Sequence, residues 1–323
     1  MVPTLLCALA VAAPAADSER VEVDLTLDGG HDAIGYGGSM HATGSALSLD
    51  GAADATLYLR PVVDEARPFA LQPFLQRTST LRLSAQLGDR AAVEPPAGSP
   101  PSREGLGATG RRGGAIASGE LFVLPSLALT FAVGYRFVAP ATVGAATIHF
   151  LPASAGLALR LGDLRLAIAV ETVAASSAPA VSAASSFGAS FTDANVRGRL
   201  SLRIVFLEHI DVHLGASANA HGVDAYLHGT FYPSQRLGLS GGGFGGGIVD
   251  RVVFPDAGDA RFVLGHSPVP FDGAAHFGLF IGFSYFASRA LGVAARYTAT
   301  FIADGAQGET DQRVLLSLIF RGG

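Results

Sequence analysis

Lysine and tryptophan are missing altogether from this 323-residue chain, cysteine occurs once, and charged residues make up only 15% of it. Each shortage excludes something. One cysteine, Cys7, cannot close an intrachain disulfide, so no disulfide framework holds the fold. A net charge of −5, with every basic residue an arginine or histidine, excludes the basic footprint of a nucleic-acid binder. Soluble domains carry about 25% charged residues, so part of this surface faces something other than water. Long apolar runs are missing too. The longest uncharged stretches, Phe137–Leu159 and Thr172–Thr192, are broken by Pro140, Pro152 and Pro179. A membrane-spanning helix needs roughly 20 consecutive apolar residues. If lipid is the missing solvent, strands closed into a barrel must meet it, because only helices and closed barrels satisfy their backbone groups in hydrocarbon.

What is present is alternation with a period of two, which a strand turns into two chemically different faces. Val21, Val23, Leu25 and Leu27 alternate with Arg20, Glu22, Asp24 and Thr26. Leu200, Leu202, Ile204 and Phe206 oppose Arg199, Ser201 and Arg203, and Ile210, Val212 and Leu214 oppose His209, Asp211 and His213. From Leu121 to Phe137 one face reads Leu, Val, Pro, Leu, Leu, Phe, Val, Tyr, Phe, which predicts one unusually long strand. Such segments predict an all-β, antiparallel transmembrane barrel of about sixteen strands, with fourteen as the alternative count. The expected strands are 20–27, 33–49, 53–60, 68–77, 79–87, 120–137, 144–150, 155–161, 163–173, 196–207, 209–219, 223–232, 236–248, 275–287, 288–302 and 312–320. Long loops are expected at 88–119, 174–195 and 249–274, and a tight turn at Gly162-Asp163. Residues 1–16, with the apolar core Leu5–Ala13 and the small residues Ala13 and Ala15 before Asp17, read as a signal peptide. Residues 17–323 then form one barrel domain.

The closing segment, Arg313 to Phe320, alternates apolar residues and has an aromatic near its end. It is similar to the targeting strand of outer-membrane barrels, although Arg321-Gly322-Gly323 follow the aromatic. That resemblance implies a multi-pass place in the outer membrane's lipid bilayer, export through the signal peptide, and insertion by the barrel-insertion machinery. In length and strand number the chain resembles the general diffusion porins, without a porin-specific motif. The resemblance implies passive diffusion of small hydrophilic solutes or ions, a homotrimer, and a constricting role for the loop after the fifth strand, here 88–119. With no tryptophan, the interfacial aromatics would be Tyr135, Phe137, Phe206, Tyr285, Tyr297 and Phe301.

Inward-facing charge carries the functional expectation, since charge facing lipid is costly while a lumen is wet. Arg82, Arg136, Arg160, Arg165, Arg199, Arg203 and Arg296 are expected to line the pore with Glu171, Asp211 and Asp224. An excess of arginine in a pore favours anions; a mixed charge network that merely braces the wall is the plainer reading. His209, Asp211 and His213 share a strand face, but members of such a row stand about 6–7 Å apart, too far for one metal shell. The Gly241–Gly247 run lacks the Lys-Ser/Thr of a phosphate loop and reads as a bend or a crowded contact. No G-x-S-x-G elbow accompanies His149, His228, His266 or His276. The sequence thus predicts a channel rather than an enzyme, with no cofactor and no metal. The alternative is a closed or plugged barrel with a structural or assembly role.

Overall fold

The computed structural model describes residues 18–36, 42–63, 67–93, 110–140, 147–178, 195–218, 223–247, 275–304 and 307–322. Among them lie fourteen strands: β1 (Ser18–Tyr36), β2 (Ala42–Val63), β3 (Thr80–Val93), β4 (Gly110–Leu124), β5 (Leu127–Pro140), β6 (Thr147–Leu161), β7 (Leu164–Ala178), β8 (Asn195–Phe206), β9 (Ile210–Ala218), β10 (Val223–Phe231), β11 (Leu237–Gly246), β12 (Ala275–Phe286), β13 (Leu291–Asp304) and β14 (Gln307–Gly322). One helical turn, α1 (Gln72–Leu75), sits between β2 and β3. Each strand pairs antiparallel with the next, and β14 closes on β1 from Val21↔Gly322 to Tyr36↔Gln307. That pairing puts both ends of the barrel chain at one rim. Pro125-Ser126 and Gly162-Asp163 turn at the same rim, Gly162 with a φ of +61° that suits glycine. No described helix is long and apolar enough to cross a membrane.

The alternation becomes a barrel with inverted polarity. Along β7, Ile168 and Val170 are 55% and 59% exposed on the outside, whereas Arg165 and Glu171 are 7% and 3% exposed on the inside. Along β14, Val314, Leu316 and Leu318 point out while Arg313, Ser317 and Arg321 are buried. A water-soluble barrel would place these residues the other way round.

Four strand expectations are corrected. The described residues form fourteen strands, the alternative count. Segments 20–27, 33–49 and 53–60 belong to two strands, because Gly29-Gly30 and Gly51 do not turn. They stay in register with Leu49, Ser48 and Leu27. At Gly30 a Cβ would lie 2.5 Å from Ser48 Oγ, so glycine there serves close approach of side chains. Segments 144–150 and 155–161 belong to the single strand β6. Its interior Pro152 pairs with Val173 on β7, while the β5 ladder skips from Val133↔Ala153 to Arg136↔Phe150 beside it. The supposed single strand Leu121–Phe137 is β4 and β5 with a turn at Pro125-Ser126. A bulge between Phe122 and Leu124 keeps paired residues odd with odd, as in Leu121↔Leu129, so the pattern runs through the turn unbroken. Segment 68–77 is no strand at all. Pro68 and Pro73 have no N–H for a ladder, and Pro73 instead opens α1.

The loop expectations narrow accordingly. Residues 88–93 and 110–119 lie in β3 and β4, 174–178 in β7, and Asn195 in β8. The expected signal peptide 1–16 with Cys7, residues 94–109, His266 and the expected loop 249–274 lie outside the described residues.

Candidate functional site

The lumen is the candidate site, and its rim beside the short turns is filled from within. Residues 67–79, which link β2 to β3, fold into the barrel. Leu71 and Gln72 are fully buried there, and Phe69 and Phe74 nearly so. Leu71 and Phe74 pack with Val205 and Tyr232, and Phe69 packs with Phe286 and Ile319. The Phe69 and Phe286 rings meet edge-on at 6.1 Å. These wall residues are apolar positions on the inner face, placed where the segment docks. Burying such a side chain contributes about 1.5–3 kcal/mol.

Arginines of the wall complete the clamp. Arg160 Nη1 donates to the Phe74 carbonyl at 3.1 Å and Arg321 Nη1 to the Phe69 carbonyl at 2.8 Å. The guanidiniums of Arg160 and Arg203 both stand 3.9 Å from the Phe74 ring centroid, where a cation–π contact contributes about 0.5–2 kcal/mol. The Phe69 N–H donates to the Gln235 carbonyl, and the Gln76 amide exchanges hydrogen bonds with the Val63 backbone in the manner of a strand partner. This inserted segment is a plug.

Beside the plug the lumen carries ion pairs. Glu120 receives both Arg160 and Arg165, at 3.1 and 2.9 Å. Asp211 holds Arg203 at 2.8 Å and His213 at 3.2 Å, and Glu22 holds Arg321 at 2.7 Å. Asp54 pairs with Arg82 at 3.1 Å. Elsewhere on the inner face Asp50 binds Arg112, Arg313 reaches Asp28 at 3.2 Å, and Glu171 takes Arg199 at 3.1 Å and Arg197 at 3.6 Å. Arg136 donates to Gln86 at 3.0 Å. Arg296 stands over the Phe280 ring at 5.2 Å. The Asp224 carboxylate lies across Gly246, where a Cβ would sit 2.2 Å from its oxygen.

The ten residues singled out from the sequence therefore all turn toward the inside of the barrel. Glu22 and Asp24 share that side. The structure adds Asp28, Asp50, Asp54, Arg112, Glu120, Arg197, Arg313 and Arg321. Asp50 fell in an expected turn and Arg112 in an expected loop, so neither had a face to be read from. Glu120 was visible as the even-numbered neighbour of Leu121 but stood at a strand end.

The histidines separate. His209 is exposed in the turn before β9, whereas His213 and His228 are buried in the lumen with ring centroids 5.4 Å apart. His228 also meets Phe280 and Thr230. Among the described residues no group of three or more His, Cys, Asp or Glu side chains is placed to hold a metal ion. His149 faces outward, stacked on Tyr135 and joined to its hydroxyl at 2.7 Å. The glycine run is a crowded contact within β11. The ring of Phe280 lies over Gly242, with a Cβ there only 2.7 Å from ring carbons, and Phe244 lies likewise over Gly278.

A cavity of about 190 Å³ remains beside the plug, with Ala70, Pro73 and Phe74 forming one side. Six arginines and three carboxylates line it.

No protein-family model and no curated protein matches the chain. Among solved structures it is similar to the Acinetobacter baumannii outer membrane protein Omp33, at 14% identity over 94% of this chain and 99% of that one, with a TM-score of 0.46. It is also similar to the Pseudomonas putida toluene transporter TodX, at 9% identity over 97% and 93%, with a TM-score of 0.44. Pseudomonas aeruginosa OccK11 (OpdR) matches at 11% over 95% and 99%, with a TM-score of 0.34.

Proposed function

We propose that this protein is an outer-membrane channel for small hydrophilic solutes or ions, held shut at its short-turn rim by the plug. The inverted polarity of the wall carries the reading. A band of leucine, isoleucine, valine and phenylalanine exposed around a closed barrel suits hydrocarbon, and a lumen of ion pairs suits water. Fourteen strands lie between the eight that leave no channel and the sixteen to eighteen of open porins, which leaves room for a plug of this size. Passage requires that the plug leave its seat. The arginine excess gives the lumen a weak anion preference. Export through residues 1–16 and insertion through the strand Arg313 to Phe320 complete the proposal, and self-association as a homotrimer belongs to it.

The plug itself favours one competing reading, a permanently closed structural barrel. Planar-bilayer recording separates the two. The purified protein is compared with a variant whose residues 67–77 are replaced by a short Gly-Ser turn. The full chain is expected to show rare openings and the shortened one steady stepwise conductance. A shortened barrel that folds, inserts and stays silent overturns the channel reading. In a salt gradient an anion-shifted reversal potential is expected, and a cation-shifted one removes the anion preference.

A further inference from the structure

The cavity against the plug has a chemistry of its own. Its six arginines exceed its three carboxylates, and each carboxylate is already committed: Glu120 to Arg160 and Arg165, Asp211 to Arg203, Glu22 to Arg321. Counting Asp54, which holds Arg82 from outside the cavity, an excess of positive charge still remains. In a narrow lumen with walls of low dielectric that excess is poorly screened and draws an anion. Guanidinium groups match the planar geometry of a carboxylate. The rest of the lining mixes hydroxyl and imidazole groups, among them Ser201, Thr230 and His228, with the rings of Phe74, Tyr226 and Tyr232. At about 190 Å³ the space is smaller than the roughly 300–1,000 Å³ of sites for drug-sized ligands.

We propose that this cavity is a binding site for small organic carboxylates, with the carboxylate among the arginines and the apolar body against Phe74 and its aromatic neighbours. The proposal rests on the lumen being a solvated compartment, as the channel reading holds, and it names the class of solute bound there. An occupant would share Arg203 with the plug, since that guanidinium both faces the cavity and stacks on Phe74. Binding and plug position are thereby coupled.

The test is equilibrium binding to the full chain folded in detergent, which needs neither plug opening nor conduction, so its failure is distinct from failure of the channel reading. Fluorine NMR of 4-fluorobenzoate is compared with that of 4-fluorobenzyl alcohol, with inorganic phosphate as competitor. The carboxylate is expected to bind at least about tenfold tighter than the neutral alcohol, because one charge-assisted pair is worth that much. Phosphate is expected to compete weakly. Arg296→Met and Ser240→Asp are each expected to weaken the carboxylate about tenfold or more. Ser240→Asp removes no existing ion pair and adds a negative charge inside the cavity, so with folding checked by circular dichroism it stands if the arginine variant fails to fold. Equal binding of acid and alcohol, unchanged binding in Ser240→Asp, or phosphate binding as tightly as the carboxylate overturns the proposal.

Discussion

The wall and the plug bury their side chains in opposite senses. On β7 the wall exposes Ile168 and Val170, at 55% and 59%, and turns Arg165 and Glu171 inward. The plug, enclosed by that same wall, buries Leu71 and Phe74, and its polar contacts to the wall run through backbone groups, Gln76, Arg67 and Arg77. The wall therefore needs lipid to be stable in its observed form, whereas the plug needs only the lumen. The proposal that the plug leaves its seat while the wall persists turns on this docking alone: an apolar patch, the arginine bonds to the Phe69 and Phe74 carbonyls, and two chain ends.

Four changes would break or sharpen that contrast. Glu120→Gln strikes the wall from inside, leaving Arg160 and Arg165 buried without their shared carboxylate. A loss of about 3–5 kcal/mol is expected, read from the urea midpoint of the barrel in detergent. Phe74→Ala strikes the docking of the plug against the wall. Truncating a buried aromatic costs about 3–5 kcal/mol, here charged to docking, so proteolysis within 67–77 should rise steeply while the barrel's urea midpoint stays nearly in place. A parallel fall of both would show that plug and wall unfold as one unit. Ile281→Arg strikes the wall from outside and is expected to cost about 2–4 kcal/mol in a bilayer. The penalty should shrink in detergent; an equal penalty in both would mean this face does not meet hydrocarbon. Leu207→Ser, at a turn residue 84% exposed, should stay within about 0.5 kcal/mol, which checks that the apolar requirement ends at the rim.

Faces were easier to read from the sequence than ends. Arg165, Glu171, Arg203 and Asp211 reveal their side through neighbours two residues away, because side-chain period in a strand is fixed by the backbone. Turns such as Pro125-Ser126 are hidden when a bulge preserves the parity of the pattern, and false turns such as Gly29-Gly30 arise when a glycine answers a neighbour in another strand. Partner choice was equally hidden. Glu120 meets Arg160 and Arg165 from 40 and 45 residues away, and nothing in the local pattern announces that. The plug did leave a trace: Val205 and Ile319 are apolar residues on the charged face of their strands, and each marks its seat.

The sequence by itself determined the all-β class, the closed barrel's inverted polarity and seven of the arginines that turn inward, because these follow from alternation along single strands. The tertiary structure alone decided the count of fourteen, which arginines meet which carboxylates, and the folding of residues 67–79 into the lumen. Those depend on which strands become neighbours and on how much space their closure leaves, and both are set by contacts between residues far apart in the chain.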